Sequence, residues 1–518
     1  MVSLTSSGRA IIPLLPHPRA WDGRSSCGSR GYRGEAPVAP TRGRTDGGDV
    51  SDHYDVVVLG AGSGNMVIDE RFATQRVAIV ESGDFGGTCL NRGCIPSKML
   101  VHTADLVRAA QRGPALGART SAAGVDWPAV RDRVLARIGS ERDEGEQGRD
   151  EDEYVDRIRG IARFVGERRL VVTGADGERE ISADQVVVAT GSRPQLPPVE
   201  GLEQSPHHTS DTVMHLAALP RRMAILGGGY VGCEFAHVFS AFGVEVTQIE
   251  SGPRLLNGQD EELAERFTTA AGEQWTVRLG VEAERVVTEA GGVRMELSDG
   301  SAVETDLILV ATGRVPNGDL LDLERAGIEV DDDGLVVVDA EQRTTAAGVW
   351  ALGDVCQGAP LKHVANHEAR VVQHNLLHPE GLRRSDHRTI PNAVFSHPPL
   401  AAVGLTEEQA REEGVEVAVG RAEYAGTAYG WALQAGPDDQ GPDAGGLVKV
   451  IADRATGRLV GAHLLGVQAS TLVQPLIQAV AAGTPAREVA RGQYWIHPAL
   501  TEVVEGALND LVDRLDED

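Results

Sequence analysis

The sequence predicts an α/β fold of two βαβ-based parallel-sheet units, the second inserted into the first, followed by a C-terminal α+β domain. Three observations carry this reading. An apolar strand, a glycine turn and a second strand with an acidic end occur at YDVVVLGAGSGN (54–65) and VAIVE, closing on Glu81. The same grammar returns at RMAILGGGYVGCEFA (222–236) and VEVTQIE, closing on Glu250. After VWALGDV (349–355) the pattern changes, from about Thr389, to alternating strands followed by helical stretches.

Taken in order, residues 1–50 are rich in Arg, Gly, Ser and Pro, and read as a disordered extension, with an arginine-rich transit peptide as the alternative. Val50, just before SDHYD, is a candidate translation start. The first unit, 51–194, should place a helical pattern after its glycine turn. There the amides near Gly60, Gly62 and Gly64 can approach a pyrophosphate, and Glu81 can accept ribose hydroxyls. Asn65 stands where the usual third glycine would be. The acidic run ERDEGEQGRDEDE (141–153) reads as a solvated linker or helix face with no chemistry. The second unit, 195–314, carries Gly227, Gly229 and Gly232 in the full pattern. Each unit is followed by a matching strand and turn, VVVATGSRP (186–194) and LILVATGRVPN (307–317). The first unit should resume over 315–388, and 389–518 should form the terminal α+β domain.

Composition excludes several classes. A formal charge of −27 argues against a nucleic-acid partner, which requires a basic surface. With 41% hydrophobic residues and no run of about 18 apolar residues, the sequence offers no membrane span. Five scattered cysteines do not make a disulfide scaffold or a zinc ladder, which suits a reducing cytoplasm.

Two of those cysteines stand close together in GGTCLNRGCIPSK (86–98). In an ideal helix, Cys89 and Cys94 would have Cα atoms about 8.6 Å apart, beyond the roughly 7 Å a disulfide tolerates. A redox pair here therefore needs a distorted turn. Gly93 supplies backbone freedom, and Pro96 is tolerated in a first helical turn. A helix start lowers the pKa of a nearby thiol, which favours redox cycling over a structural staple. Two unpaired cysteines or a metal half-site are the other readings. Cys233 and Cys356 read as buried fillers. Dithiol chemistry also needs a proton carrier, and His497, with Glu502 five positions on to fix its tautomer, is the candidate.

Together, the cysteine motif, the two glycine units, ATGR, ALGDV and HPALTE resemble the flavin-dependent pyridine nucleotide-disulfide oxidoreductases, from about Tyr54 to the C-terminal helix. GAGSGN, FGGTCLN, HTSDTVM, EFAHVFSAFGV, KHVANHEARVVQHNLL, AYGWAL and ARGQYWIHPAL are most similar to the mycothione reductase branch, which reduces the disulfide mycothione. The resemblance implies two Rossmann-like domains, for FAD and NAD(P), and a C-terminal dimerisation domain. It implies FAD on Gly60, Gly62, Gly64 and Glu81, with Thr88 near its phosphates, Thr190 and Gly191 at the adjoining turn, and Asp354 at the ribityl chain. Lys98 would lie against the flavin, paired with Glu234. NADPH or NADH would dock on Gly227, Gly229, Gly232 and Glu250, with Gly313 at the edge. Glu250 favours NADH by local chemistry, whereas the branch implies NADPH. Cys94 would be the flavin-side thiol, Cys89 the thiol that attacks substrate, and His497, oriented by Glu502, the acid that acts across a homodimer. The rivals are dihydrolipoamide dehydrogenase, whose HAHPTLSE tail wording is absent here, and a catalytically silent flavin-binding protein, which should lack one of these four residues.

Overall fold

A computed structural model describes residues 52–121, 124–289, 292–435 and 445–517. The expected extension over 1–50 and the candidate start at Val50 lie outside the described residues.

The first sheet has seven strands. Its order is Val155–Arg159, Val77–Glu81, Asp52–Leu59, Gly177–Val188, Arg169–Gly174 and Ile161–Gly166, with Val349–Ala351 also paired to Gly177–Val188. The Asp52–Leu59 strand is parallel to both neighbours, and Val56, Val57, Val58 and Leu59 are all buried. Cover on both faces explains why the strand is a continuous apolar run and does not alternate.

The second sheet runs Thr276–Leu279, Glu245–Glu250, Arg222–Leu226, Leu307–Val310 and His207–Thr209, all parallel. A three-stranded antiparallel sheet over 283–305 packs beside it. The first sheet is mixed, because Gly177–Val188, Arg169–Gly174 and Ile161–Gly166 pair antiparallel; the chain passes between it and the second sheet twice, and those passages pair as the short strands Ser192–Pro194 and Arg314–Pro316. The last sheet is antiparallel, in the order Asn392–Val394, Leu400–Gly404, Leu459–Leu465, Leu447–Asp453 and Val417–Glu423. The apolar face of helix Thr501–Asp516 covers it through Val503, Val504, Ala507, Leu508 and Leu511. Buried Lys449 ties this sheet to the second unit, with its ammonium 2.9 Å from Asp260 and 2.7 Å from Glu407.

One element differs from the sequence reading. No α-helix follows the first glycine turn. Two 3₁₀ turns, Gly64–Val67 and Glu70–Phe72, stand there instead, whereas the second glycine turn leads into the twelve-residue helix Tyr230–Ala241. The cause is local and long-range at once. The Asp69 carboxylate accepts from the Arg71 amide and starts a new turn. Carbonyls that helical amides would satisfy are taken by side chains from elsewhere. Arg149 donates to the Asn65 and Ile68 carbonyls at 2.8 and 2.7 Å, and Gln373 donates to the Val67 carbonyl at 2.9 Å.

The acidic run is also better defined than a linker. Most of it lies on the 24-residue helix Trp127–Asp150. Arg149, inside that run, points inward to make the contacts just described, so the run does carry a structural task.

Candidate active site

The two glycine turns are built alike. Gly60 and Gly227 have φ of +106° and +109°, and a Cβ on either would collide with the carbonyl oxygen of Ala189 or Ala311 on the returning strand. Only glycine fits both constraints. Glu81 accepts from the amides of Ala61 and Gly83 at 2.8 and 2.7 Å, and Glu250 accepts from those of Gly228 and Gly252 at 2.6 and 2.7 Å. Each carboxylate therefore braces its loop from the end of the neighbouring strand.

The expected packing glycine differs between the turns. Gly232 plays that part in the second, since a Cβ there would strike the Gly227 carbonyl. In the first, Gly64 takes it, with a Cβ 2.7 Å from that of Ala189 and 2.9 Å from Val58. Asn65 is thereby free to carry a side chain, and its Oδ1 accepts from Arg149 at 2.7 Å.

A cleft of about 630 Å³ opens on the second turn, lined by Gly227, Gly228, Gly229, Tyr230, Glu250 and Gly313 among others. Gly313 has φ of +127°, and its carbonyl accepts from the Gln195 amide. Arg254, the one cation past the strand end in IESGPR, is 3.0 Å from Glu261.

The first turn suits a dinucleotide cofactor. Gly62 and Gly87 face each other closely enough that a Cβ on Gly87 would lie 2.6 Å from the Gly62 Cα, leaving a bare backbone edge beside Thr88. At the adjoining turn, Gly191 has φ of +65° and the Thr190 hydroxyl is buried with no hydrogen-bond partner in the protein. Asp354 closes the group, accepting from Ser192 Oγ at 2.6 Å, and Ser192 Oγ accepts from Arg314 at 2.7 Å. These residues fit FAD. Ser192 and Arg314 belong to the two matching turns, 186–194 and 307–317, and no sequence signal sets them apart there.

The distortion required at the cysteines is a break between two helices. Gly87–Arg92 carries Cys89, and Cys94–Arg112 begins with Cys94. Gly93 joins them at φ −136° and ψ −117°, and a Cβ there would sit 2.9 Å from the Thr88 carbonyl oxygen. Both cysteines are free thiols and hydrogen-bond to each other. The hydrogen bond from Cys89 lowers the Cys94 thiol to about 7 against the cost of burial, with help from Lys98, its own helix-start amide and Lys362. The Cys89 thiol is pushed far up, first by that hydrogen bond and then by burial. Burial also pushes up Cys233 and Cys356, so neither resembles a reactive thiol.

Lys98 Nζ lies 2.6 Å from Glu234 Oε2, and the other Glu234 oxygen accepts from the Phe395 amide at 3.0 Å. The helix that starts at Cys94 is thus tied to the helix that follows the second glycine turn. Sequence reasoning missed Lys362, whose Nζ donates to Ser63 Oγ at 2.8 Å in the first glycine turn. It also missed Tyr230, which lines the second cleft. No composition or spacing signal separates either from an ordinary surface residue.

His497 and Glu502 meet as expected, with Nδ1 and Oε1 2.7 Å apart. That hydrogen bond, with one from the Ala499 amide, holds the Glu502 carboxyl below its ordinary range. The His497 side chain is 72% exposed, and among the described residues nothing bonds this dyad to the cysteine pair of its own chain. Tyr494 and Ile496 beside it are also exposed. The groups meet no obvious metal: no cluster able to hold one occurs among the described residues. No helix among them is long and apolar enough to cross a membrane.

Comparison with known proteins agrees with this geometry. Residues 54–369 match the pyridine nucleotide-disulphide oxidoreductase family and 390–508 match its dimerisation domain. The chain is 48% identical to mycothione reductase of Mycobacterium tuberculosis over 463 residues, 88% of this chain and 98% of that one. It is 31% identical to dihydrolipoyl dehydrogenase of Bacillus subtilis, over 88% and 96%. Among solved structures, the HOCl-induced flavoprotein disulfide reductase RclA of Escherichia coli superposes with a TM-score of 0.76 at 31% identity, covering 89% of this chain and 99% of that one. Two matched family domains, a paired thiol and two braced glycine turns make this chain a member of the pyridine nucleotide-disulphide oxidoreductase family, a flavin-dependent disulfide reductase.

Proposed function

We propose that the protein reduces mycothione to two molecules of mycothiol with NAD(P)H, maintaining thiol redox balance in the cytoplasm, as a homodimer whose subunits share each active site. The single observation that carries the chemistry is the Cys89–Cys94 pair, two free cysteines hydrogen-bonded to each other across the helix break at Gly93. The choice of substrate rests on the 48% identity to mycothione reductase, against 31% to the dihydrolipoyl dehydrogenase.

Gly60, Gly62, Gly64, Glu81, Thr88, Thr190, Gly191 and Asp354 would hold FAD, which when bound would supply the passage of two electrons from NAD(P)H to the cysteine disulfide. Gly227, Gly229, Gly232, Glu250 and Gly313 would hold the donor. Opening the disulfide leaves Cys94 as thiolate and the proton on Cys89. For Cys89 to attack, that proton must leave, and His497 of the partner subunit is the base we assign. Cys89 sulfur then bonds one sulfur of the substrate, and the substrate S–S bond breaks. The departing thiolate takes the proton back from the imidazolium. Cys94 next attacks Cys89, reforming the internal disulfide and expelling the second thiol, which is protonated from solvent. One disulfide, one NAD(P)H and one proton thus give two thiols and NAD(P)⁺. Glu502 keeps the tautomer that presents Nε2 to the sulfur. The exposure of His497 and its apolar neighbours, and the absence among the described residues of a bond to its own chain's cysteines, support service across a dimer.

The test is steady-state turnover of the purified protein on mycothione, glutathione disulfide and lipoamide, each with NADH and NADPH. The proposal expects mycothione to give the highest kcat/KM. Turnover of lipoamide alone would replace it with the dehydrogenase reading. The donor arms decide between Glu250, braced for free ribose hydroxyls with Arg254 held by Glu261, and the likeness to the mycothione branch.

A further inference from the structure

We infer that Glu368 is a positioning residue of the flavin site: its buried carboxylate holds the amide of Gly353 and thereby fixes the aim of Asp354, the next residue along the chain. This deepens the function proposed above and rests on Asp354 being one of the residues that bind FAD.

Glu368 lies on the helix Lys362–Leu377 and is fully buried. A carboxyl group is costly to bury unless its oxygens are engaged, and in Glu368 both are. Oε2 accepts from the Gly353 amide at 2.7 Å, and Oε1 lies 2.9 Å from His387 Nε2. His387 belongs to the segment that leads from this helix to the strand Asn392–Val394. That segment is itself pinned, with the Arg383 amide donating to Asn375 Oδ1 at 2.7 Å and the Ser385 amide to the Ala340 carbonyl at 2.8 Å.

The braced turn is the three-residue 3₁₀ turn Gly353–Val355. Gly353 opens it at φ +74°, and a Cβ there would lie 3.3 Å from that of Ala365. On one side of Gly353, the Leu352 amide is fixed to the Val188 carbonyl at 3.0 Å. On the other, Asp354 accepts from Ser192 Oγ at 2.6 Å. Between them the Gly353 amide points to the helix, where Glu368 receives it. Glu81 and Glu250 each accept a turn amide from the end of a neighbouring strand; Glu368 does the same from a helix, 15 positions on from the amide it holds. Burial pushes the Glu368 carboxyl up, and the Gly353 amide, His387 and Gln357 oppose that rise. The oxygen facing Gly353 can accept in either protonation state, so the acceptor and its reach do the positioning, more than the charge.

The test measures flavin release from the FAD-loaded protein after dilution, followed by the rise of free-flavin fluorescence. Glu368→Ala leaves a buried amide without its acceptor and should release flavin about tenfold faster than the wild type, while Glu368→Gln should stay within about twofold. In Asp354→Ala, which removes the group being aimed, adding Glu368→Ala should speed release by less than about threefold further. Rescue by glutamine and this failure of additivity separate aim from general loosening. If Glu368→Ala does not fold, Glu368→Asp, whose carboxylate falls one methylene short, carries the test, with about threefold faster release. The inference is overturned if the variant that folds releases flavin at the wild-type rate, if glutamine does not rescue, or if the two substitutions multiply in full. Asp354→Ala alone decides the underlying assignment. Unchanged release there removes Asp354 from the flavin site; faster release there, with an unmoved Glu368 variant, defeats only the part given to Glu368.

Discussion

The first and second glycine turns are the same device finished in two ways. Both begin with a glycine that nothing larger can replace, and both are braced by a strand-end carboxylate that accepts from one amide of the turn and from the amide two residues beyond itself. The first braced pair, Ala61 and Glu81, is 20 residues apart, and the second, Gly228 and Glu250, is 22. Beyond that point they part. The second continues into a twelve-residue helix packed through Gly232, whereas the first folds into two 3₁₀ turns whose carbonyls are satisfied by Arg149 and Gln373. The loop and its carboxylate are thus the constant part of a dinucleotide cradle. The helix behind it can be replaced when distant side chains meet the backbone's hydrogen-bonding needs.

The comparison is most severely tested at its shared feature. Gly60→Ala and Gly227→Ala each place a Cβ on a backbone carbonyl at positive φ, which costs roughly 3 kcal/mol or more where neither strand can yield. Gly60→Ala should yield protein with little bound flavin by absorbance. Gly227→Ala should keep its flavin and lose NAD(P)H affinity, read by equilibrium titration. Equal loss of both ligands in either variant would deny that the turns serve separate sites.

A smaller effect is expected where the turns differ. Arg149→Ala removes the donor for two carbonyls and for Asn65, a loss of about 1–3 kcal/mol. Flavin release, followed by fluorescence during mild urea titration, should occur at lower denaturant, with nicotinamide binding to the flavin-loaded protein unchanged. Asn65→Gly should be milder still, about 1 kcal/mol, because Arg149 keeps its two carbonyls and loses one side-chain acceptor. If Asn65→Gly were as damaging as Arg149→Ala, the account of the clamp would need revision.

What sequence could disclose follows from the range of the interactions involved. The cysteine motif, the two glycine turns and the His497–Glu502 dyad are specified by residues within one local segment, and their spacing carried enough chemistry to place them. Lys98–Glu234 joins helices 136 positions apart and came only from family likeness. The missing helix was illegible because the first unit keeps a helical pattern, and what displaces it comes from Arg149, 84 positions from Asn65, and Gln373, 306 positions from Val67. Arg149 was further obscured by its acidic neighbours, whose charge pattern suggested solvent alone. Lys362 reads as any lysine at a helix start, since its hydrogen bond to Ser63, 299 positions away, is made only in three dimensions.

The central claim is that Cys89 and Cys94 together take up two electrons from the nicotinamide donor. The direct measurement is anaerobic addition of one equivalent of NADPH or NADH to the air-oxidised, flavin-loaded protein, followed by alkylation and peptide mass analysis. The account predicts that Cys89 and Cys94 both become alkylated while Cys233 and Cys356 do not change. Cysteines at 89 and 94 that are equally alkylated before and after the donor is added would contradict it.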